Sequence, residues 1–171
     1  DPGRGAYGET GDAALYRGSS VHNSLTINNA DPYPANRPYY NDAFRRHIGG
    51  PPPVLKNEDD RVLLRHSGFK RLRGVGDTFR KWEFGSGKLA LCDRVEGHGI
   101  HRIMRNLVTG LHVDKENNNL LIRGEKHDYK VSGDVPPSLE ALSAWKAYGR
   151  GRPATSIQFH ANIALDWNGH I

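Results

Sequence analysis

The segment "TSIQFHANIALDW" (residues 155–167), near the end of the chain, carries the clearest secondary-structure signal. Apolar and polar side chains alternate along it: Ile157, Phe159, Ala161, Ile163 and Leu165 are separated by Ser156, Gln158, His160 and Asn162. A period of two over this length predicts a β-strand with one buried face.

Shorter segments upstream show a similar rhythm, and turn residues separate them. They are "SLTIN" (24–28), "RVLLRH" (61–66), "FRKWEF" (79–84), "KLALCDRV" (88–95), "HRIMRNLV" (101–108), "NLLIRG" (119–124) and "HDYKVS" (127–132), with turns at 84–87, 96–99 and 114–119. Strands spaced by roughly ten residues are typical of antiparallel sandwiches and barrels. The sequence therefore predicts an all-β, antiparallel β-sandwich, supersandwich-like, with very little helix. Short helices are predicted only at "NDAFRRHIGG" (41–50) and "SLEALSAWKAYG" (138–149).

Composition sets limits on the function. The 171 residues fit a single domain over 1–171, and no apolar run of about 18 residues predicts a membrane span. The net charge of +5 and the pI of about 9.4 suit a polyanionic partner, although a solvated basic face explains them equally well. No nucleic-acid motif occurs, so no nucleic acid is expected as a partner and an acidic carbohydrate stays open. The single cysteine, Cys92, excludes an internal disulfide.

Several common catalytic and cofactor-binding motifs are missing from the sequence. No G-x-S-x-G nucleophile elbow is present, and "GVGDTF" (74–79) lacks the third glycine of a dinucleotide loop. His98 and His101 are three residues apart, a spacing that places strand side chains on opposite faces. A metal shared by these two histidines is therefore not predicted.

The opening segments "DPGRGAYG" (1–8) and "RGSSVHNSLTIN" (17–28) contain the best candidates for a site. Asp1 and His22 are residue types that suit zinc, but two ligands do not make a metal site. A turn carboxylate and a strand-end histidine explain the same residues. Because the chain starts at an aspartate, we expect it to be cut from something larger.

A family resemblance rests on several stretches of the chain. "DPGRGAYG" is similar to an Asp-Pro-Gly strand end, and "LYRGSSVHNSLTIN" (15–28) to a His-Asn segment, of the heparinase II/III-like polysaccharide lyases. "HSGFKRLRGVGDTFRKWEF" (66–84) with "KLALCDRVEGHGIH" (88–101) resembles the family's hairpins, and "AWKAYGRGRPATSIQF" (144–159) resembles its closing strand. The match covers most of the chain and corresponds to the family's C-terminal β-sandwich domain.

The resemblance implies a fold, an activity and a cofactor. Members join an N-terminal helical toroid, absent from this chain, to the sandwich, and cleave uronate-containing polysaccharides such as heparin, heparan sulfate or alginate by β-elimination. Asp1 and His22 match two zinc ligands, the third being an upstream histidine. The catalytic residues are expected upstream of Asp1, so this chain alone is expected to be inactive. An extracytoplasmic location, periplasmic or secreted and bacterial in type, is implied as well.

Basic side chains are the candidates for binding the polyanion. Arg17, Arg45, Arg46 and Lys70 are the substrate-binding candidates, since arginine grips sulfate or carboxylate groups with two hydrogen bonds. Besides a lyase domain, two other functions stay open. One is a non-catalytic β-sandwich module that binds polyanions or carbohydrate, and the other is a structural sandwich without a site.

Overall fold

The computed structural model of the chain describes residues 2–3, 5–8, 10–33, 50–117, 119–147 and 149–171. Of these residues 60% lie in strands and 5% in helices, and their strands form three antiparallel sheets. The predicted fold class, an all-β antiparallel sandwich with very little helix, is confirmed.

The order of elements follows the chain from a short helix to a long series of strands. The helical elements are α1 (Gly11–Leu15) and a 3-10 helix (Ser19–Val21). The strands are β1 (Leu25–Ile27), β2 (Val54–Glu58), β3 (Arg61–His66), β4 (Val75–Gly85), β5 (Lys88–Gly97), β6 (Ile100–Thr109), β7 (His112–Glu116), β8 (Asn119–Arg123), β9 (Asp128–Val131), β10 (Pro137–Ala147), β11 (Arg150–Ala164) and β12 (Trp167–His170). None of the helices in the described ranges is long and apolar enough to cross a membrane.

The chain divides into two compact units. The first comprises Asp1–Asn29 with Arg102–Ala161, and the second comprises Ala30–His101 with Asn162–Ile171. The sheet orders are β1-β6-β11-β10, β12-β5-β4-β3-β2 and β7-β8-β9. The prediction of one domain over 1–171 stays a prediction.

The core of the first unit lies on three neighbouring strands. Ile27 on β1 pairs with Ile103 on β6, and both are fully buried together with Ile157 and Phe159 on β11. The alternation at 157 and 159 therefore forms a buried face, as the sequence predicts. The same face contains Arg105, whose guanidinium lies 5.5 Å from the Phe159 ring centroid and pairs with Asp134.

The prediction of a helix at 138–149 is wrong. Residues Pro137–Ala147 form β10 and pair with β11, from Pro137 opposite Phe159 to Ala147 opposite Arg150. The local sequence has helical periodicity, but pairing with the long β11 strand stabilises the extended conformation instead. The other predicted helix, at 41–50, lies almost entirely outside the described residues.

Two predicted turns are confirmed. The first, at Gly85–Lys88, closes the β4–β5 hairpin, and the second, at Gly97–Ile100, leads from β5 to β6, a strand of a different sheet. The turn predicted at 114–119 is shorter, because β7 extends to Glu116 and β8 begins at Asn119.

Candidate functional site

The candidate site of the first unit surrounds His22, which directly follows the 3-10 helix. Its ring Nε2 lies 3.2 Å from the carbonyl oxygen of Tyr16. Because a carbonyl can only accept, Nε2 carries the proton, and Nδ1 is the nitrogen that can accept a hydrogen bond or ligate a metal. Histidines that ligate metals commonly donate their other N–H to a backbone carbonyl. The tautomer of His22 thus fits a metal ligand.

The backbone at His22 is held by a residue that sequence reasoning missed. Asn106 on β6 is 1% exposed, and its Nδ2 donates to the carbonyls of Ser20, at 2.9 Å, and His22, at 3.1 Å. Its Oδ1 accepts a hydrogen bond from the Ser156 hydroxyl at 2.5 Å. Asn106 therefore connects the segment that carries His22 to the sheet behind it.

Polar side chains continue this network along β11. Gln158 Nε2 donates to the Ser156 hydroxyl at 3.1 Å, and Gln158 Oε1 lies 2.9 Å from His160 Nε2. Ser156 is fully buried, so the polar face of the alternating segment is not simply solvated at this end. Asn23 gives a second link, since its Oδ1 accepts from the backbone N–H of Val108 at 2.6 Å. In the His22-Asn23 pair, a candidate metal ligand is therefore followed directly by a residue that is hydrogen-bonded to strand β6.

The predicted zinc site is described only in part. Asp1 lies outside the described residues, and His22 is the one predicted ligand whose surroundings are seen. Within the described ranges, no group of three or more His, Cys, Asp or Glu side chains is placed to hold a metal ion. The metal site therefore stays a prediction.

The candidate site of the second unit is built on a β-bulge. The register between β4 and β5 shifts between Val75 and Thr78, so that two residues of β4, Gly76 and Asp77, lie opposite one residue of β5, Glu96. A bulge can re-aim a side chain, and here the consecutive residues Asp77 and Thr78 are both buried. The bulge thus places a carboxylate inside the protein.

Three donors surround the Asp77 carboxylate. Arg65 Nη2 lies 2.5 Å from Oδ2, while Ser67 Oγ and Lys70 Nζ lie 2.7 and 2.9 Å from Oδ1. Burial opposes the charge, but the hydrogen bonds from Lys70, Ser67 and Arg65 outweigh it and hold the pKa of Asp77 well below its usual range. Because two cations share one carboxylate, the cluster keeps a net positive charge.

Replacing Asp77 with Asn is expected to lower stability at neutral pH by about 1–3 kcal/mol, because the cations lose their charged acceptor. A depressed pKa means that the stabilisation by Asp77 is complete above its unfolded pKa, about 3.9, and is lost as pH falls below it. The unaltered chain should therefore lose stability between about pH 5 and 2 more steeply than Asp77→Asn. Urea unfolding across this pH range measures the difference.

The control for this prediction is Asp59→Asn, at an exposed position in the β2–β3 turn. It should change neither the stability at neutral pH nor the slope with pH to a comparable degree. Equal slopes for the unaltered chain and Asp77→Asn would contradict the role assigned to the carboxylate.

The structure describes two of the four predicted substrate-binding residues. Lys70 is half-exposed and bound to Asp77, and Arg17 is exposed directly after α1. Arg45 and Arg46 lie outside the described residues. Their binding role stays a prediction for all four.

The region beside Lys70 holds further basic groups that were not among the predicted substrate-binding residues. A cavity of about 400 Å³ is lined in part by Arg71, Arg73 and His98. His101 Nε2 lies 3.1 Å from the His98 carbonyl, so this nitrogen is protonated and is unsuited to ligating a metal. The basic run "KRLR" at 70–73 can be recognised in the sequence. Its position next to the turn at 97–98 cannot, because residues so far apart in the chain meet only in the folded protein.

Solved structures share this fold. A heparinase III, in a form with methylated lysines, matches with a TM-score of 0.69 and 15% identity over 99% of this chain. The heparan sulfate lyase HepC from Pedobacter heparinus matches with a TM-score of 0.65 and 16% identity, again over 99% of this chain. No known family profile matches the sequence, and no curated protein does.

The matches cover only part of the larger structures. The chain spans 26% of the heparinase III and 27% of HepC. At this low identity the likeness shows the fold alone. The chain therefore has the fold of about a quarter of a heparinase III-type lyase, which confirms at the level of fold the resemblance found in its sequence.

Proposed function

We propose that the chain is the β-sandwich part of an enzyme that cleaves acidic, uronate-containing polysaccharide by β-elimination. The observation that carries this proposal is the fold likeness to heparinase III over 99% of the chain. The basic character of the protein, with a net charge of +5, suits a polyanionic substrate. On this proposal the chain supplies groups that bind substrate and metal, and the base belongs to another domain.

The steps of β-elimination can be divided between this chain and another domain. Elimination removes the C5 proton of the uronate and expels the sugar oxygen attached at C4. The enzyme must neutralise the uronate carboxylate, accept the C5 proton and protonate the leaving oxygen. Lys70 and Arg17 are the described candidates for pairing with the carboxylate or with neighbouring sulfates. Tyr16, a conceivable base, has its hydroxyl engaged with the backbone N–H of Ser143 at 2.8 Å.

Zinc is the cofactor that this proposal includes. The Nε2–H of His22 is bound to Tyr16, which leaves Nδ1 as the ligand atom, and Asp1 would supply a carboxylate oxygen. The metal would neutralise negative charge in the cleft or hold the cleft together. The remaining ligand and the proton-transfer groups are proposed to come from a helical domain, in a protein that acts outside the cytoplasm.

The first test is binding and turnover by the 171-residue chain itself. We expect retention on immobilised heparin that weakens as salt rises, because exposed charges are screened within about 8 Å at physiological ionic strength. We also expect no release of 4,5-unsaturated uronate, measured by its absorbance, from heparin, heparan sulfate or alginate. General acid–base groups each contribute roughly 10²–10⁴-fold, so a part without them is close to background.

Two results would contradict this division of roles. Absence of any retention at low salt would argue against a polyanion substrate. Turnover by the chain alone that is lost in Tyr7→Phe would place the proton-transfer group within this chain, since Tyr7 is strongly exposed.

A second candidate function is a non-catalytic module that binds polyanions. The cavity beside Lys70 favours it, because three cationic side chains and no carboxylate line that cavity among the described residues. Cleavage of polysaccharide by the full-length gene product would decide for the lyase. Binding without cleavage by that product would decide for the module.

A further inference from the structure

The cavity of the second unit is formed where the segment after β3 meets the turn after β5. Its volume is about 400 Å³, within the range of sites that bind small molecules or part of a longer ligand. Its lining consists of Lys70, Arg71, Leu72, Arg73, Gly74, Val75, Gly76, Gly97 and His98. Three of these side chains are cationic and none is acidic, so the charge of the lining favours an anion.

The cavity wall is fixed by main-chain contacts. The backbone N–H of His98 donates to the Gly74 carbonyl at 2.8 Å, which joins the two segments. A Cβ at Gly97 would lie 2.1 Å from the Gly74 carbonyl oxygen, so only glycine permits this approach. Arg71 braces the wall further, since it donates to the carbonyls of Asp31, Pro32 and Gly68. The side chains at the rim are thus presented by a preformed backbone.

The charges at the rim are only partly neutralised. Lys70 shares the Asp77 carboxylate with Arg65, which leaves one positive charge on that cluster. Arg71 donates three hydrogen bonds to neutral carbonyl oxygens, and the carboxylate of Asp31 is the negative charge that interacts with its guanidinium. Arg73 is exposed, and no carboxylate pairs with it within the part of the chain that the structure describes. Arg73 is therefore the guanidinium best placed to receive an incoming anion.

We infer that this cavity binds the sulfate or carboxylate groups of an acidic polysaccharide, with Arg73 as the main contact and Lys70 as the second. The inference rests on the proposed function and gives that function a defined site. A guanidinium offers two parallel hydrogen bonds to either oxyanion. Among the described residues that line the cavity, none is an aromatic side chain on which a nucleotide base could stack, which favours a saccharide over a nucleic acid.

The test is a titration of the chain with defined oligosaccharides, monitored by calorimetry. Heparin fragments present sulfate and carboxylate groups, while alginate fragments present carboxylates alone. Arg73→Gln is expected to weaken binding of the preferred fragment about tenfold, the loss of one charge-assisted contact of about 1.4 kcal/mol. The slope of log affinity against log salt should also become shallower, because one cation fewer takes part.

The matched control is Lys130→Gln, which removes one exposed positive charge from β9 in the first unit. It should leave the affinity within about twofold, because Lys130 is not among the residues that line the cavity. Arg73→Gln should keep the thermal unfolding midpoint of the unaltered chain, because the Arg73 side chain is exposed.

The possible outcomes separate the site from the function. If the unaltered chain binds neither fragment, both the site and the proposed function are overturned. If it binds, but Arg73→Gln binds equally well or Lys130→Gln weakens binding as much, only the cavity is overturned. Preference for a single-stranded oligonucleotide over both saccharides would also overturn the inference, whereas selective loss in Arg73→Gln supports it.

Discussion

Asp93→Ala is expected to lower the free energy of unfolding by about 3–5 kcal/mol, because it leaves the charge of Arg80 buried without its partner. Asp93 on β5 is 1% exposed and lies directly opposite Arg80 on β4. Arg80 Nε and Nη2 donate to its two carboxylate oxygens at 2.7 and 2.9 Å. Urea unfolding followed by tryptophan fluorescence measures the change.

Two variants make this result specific to the buried pair. Glu58→Ala breaks an exposed ion pair with Arg61 in the β2–β3 hairpin and should cost less than about 1 kcal/mol. Replacing both partners with apolar residues, Arg80→Met with Asp93→Leu, should recover most of the lost stability. A loss for Asp93→Ala no greater than that for Glu58→Ala would show that the pair is hydrated in solution.

Asn106→Ala is expected to lower the free energy of unfolding by about 3 kcal/mol, since unsatisfied buried polar groups cost about 1–3 kcal/mol each. It removes the Asn106 donor from the Ser20 carbonyl and leaves the Ser156 hydroxyl without its Asn106 acceptor. The His22 carbonyl loses one of two donors and keeps the backbone N–H of Ser24 at 2.7 Å. The backbone at His22 should loosen as a result. The ¹⁵N resonance of its Nε2–H, visible when the bond to Tyr16 persists, should weaken through faster exchange.

Asn106→Asp and Asn57→Ala are the controls. The first keeps the shape and the acceptor for Ser156 but places carboxylate oxygens against two carbonyls, so it should be at least as destabilising as Asn106→Ala. Asn57→Ala alters an exposed position on the edge strand β2 and should change stability by less than about 0.5 kcal/mol. An unchanged His22 signal in Asn106→Ala would contradict the coupling.

The parts of the fold that follow from local sequence were predictable. Alternation at Ile157 and Phe159 identified β11 because the period of two reports directly which side chains face the core. The helix predicted at 138–149 failed because apolar residues there also fit a helical period, and only the partner strand β11 decides between the two.

The polar architecture of both sites could not be predicted in the same way. Asn106 and Ser156 are fifty positions apart in the chain and meet only because β6 and β11 are neighbours. Asp77 is buried by a shift in strand register, which leaves no mark in the residue types. His22 was identified as a candidate ligand by resemblance, whereas the hydrogen bond that sets its tautomer required coordinates.

The close approach of Gly74 and Gly97 has a consequence for how this protein can diversify. Because main-chain contacts and the Arg71 side chain define the shape of that wall, exchange of the side chains at positions 73 and 98 leaves the wall intact. Mutation at these two positions can therefore change the charge of the cavity while the main-chain contacts of the wall persist. Homologues that keep both glycines are free to differ in the anions they prefer, and a designer can alter that preference as a variable separate from folding.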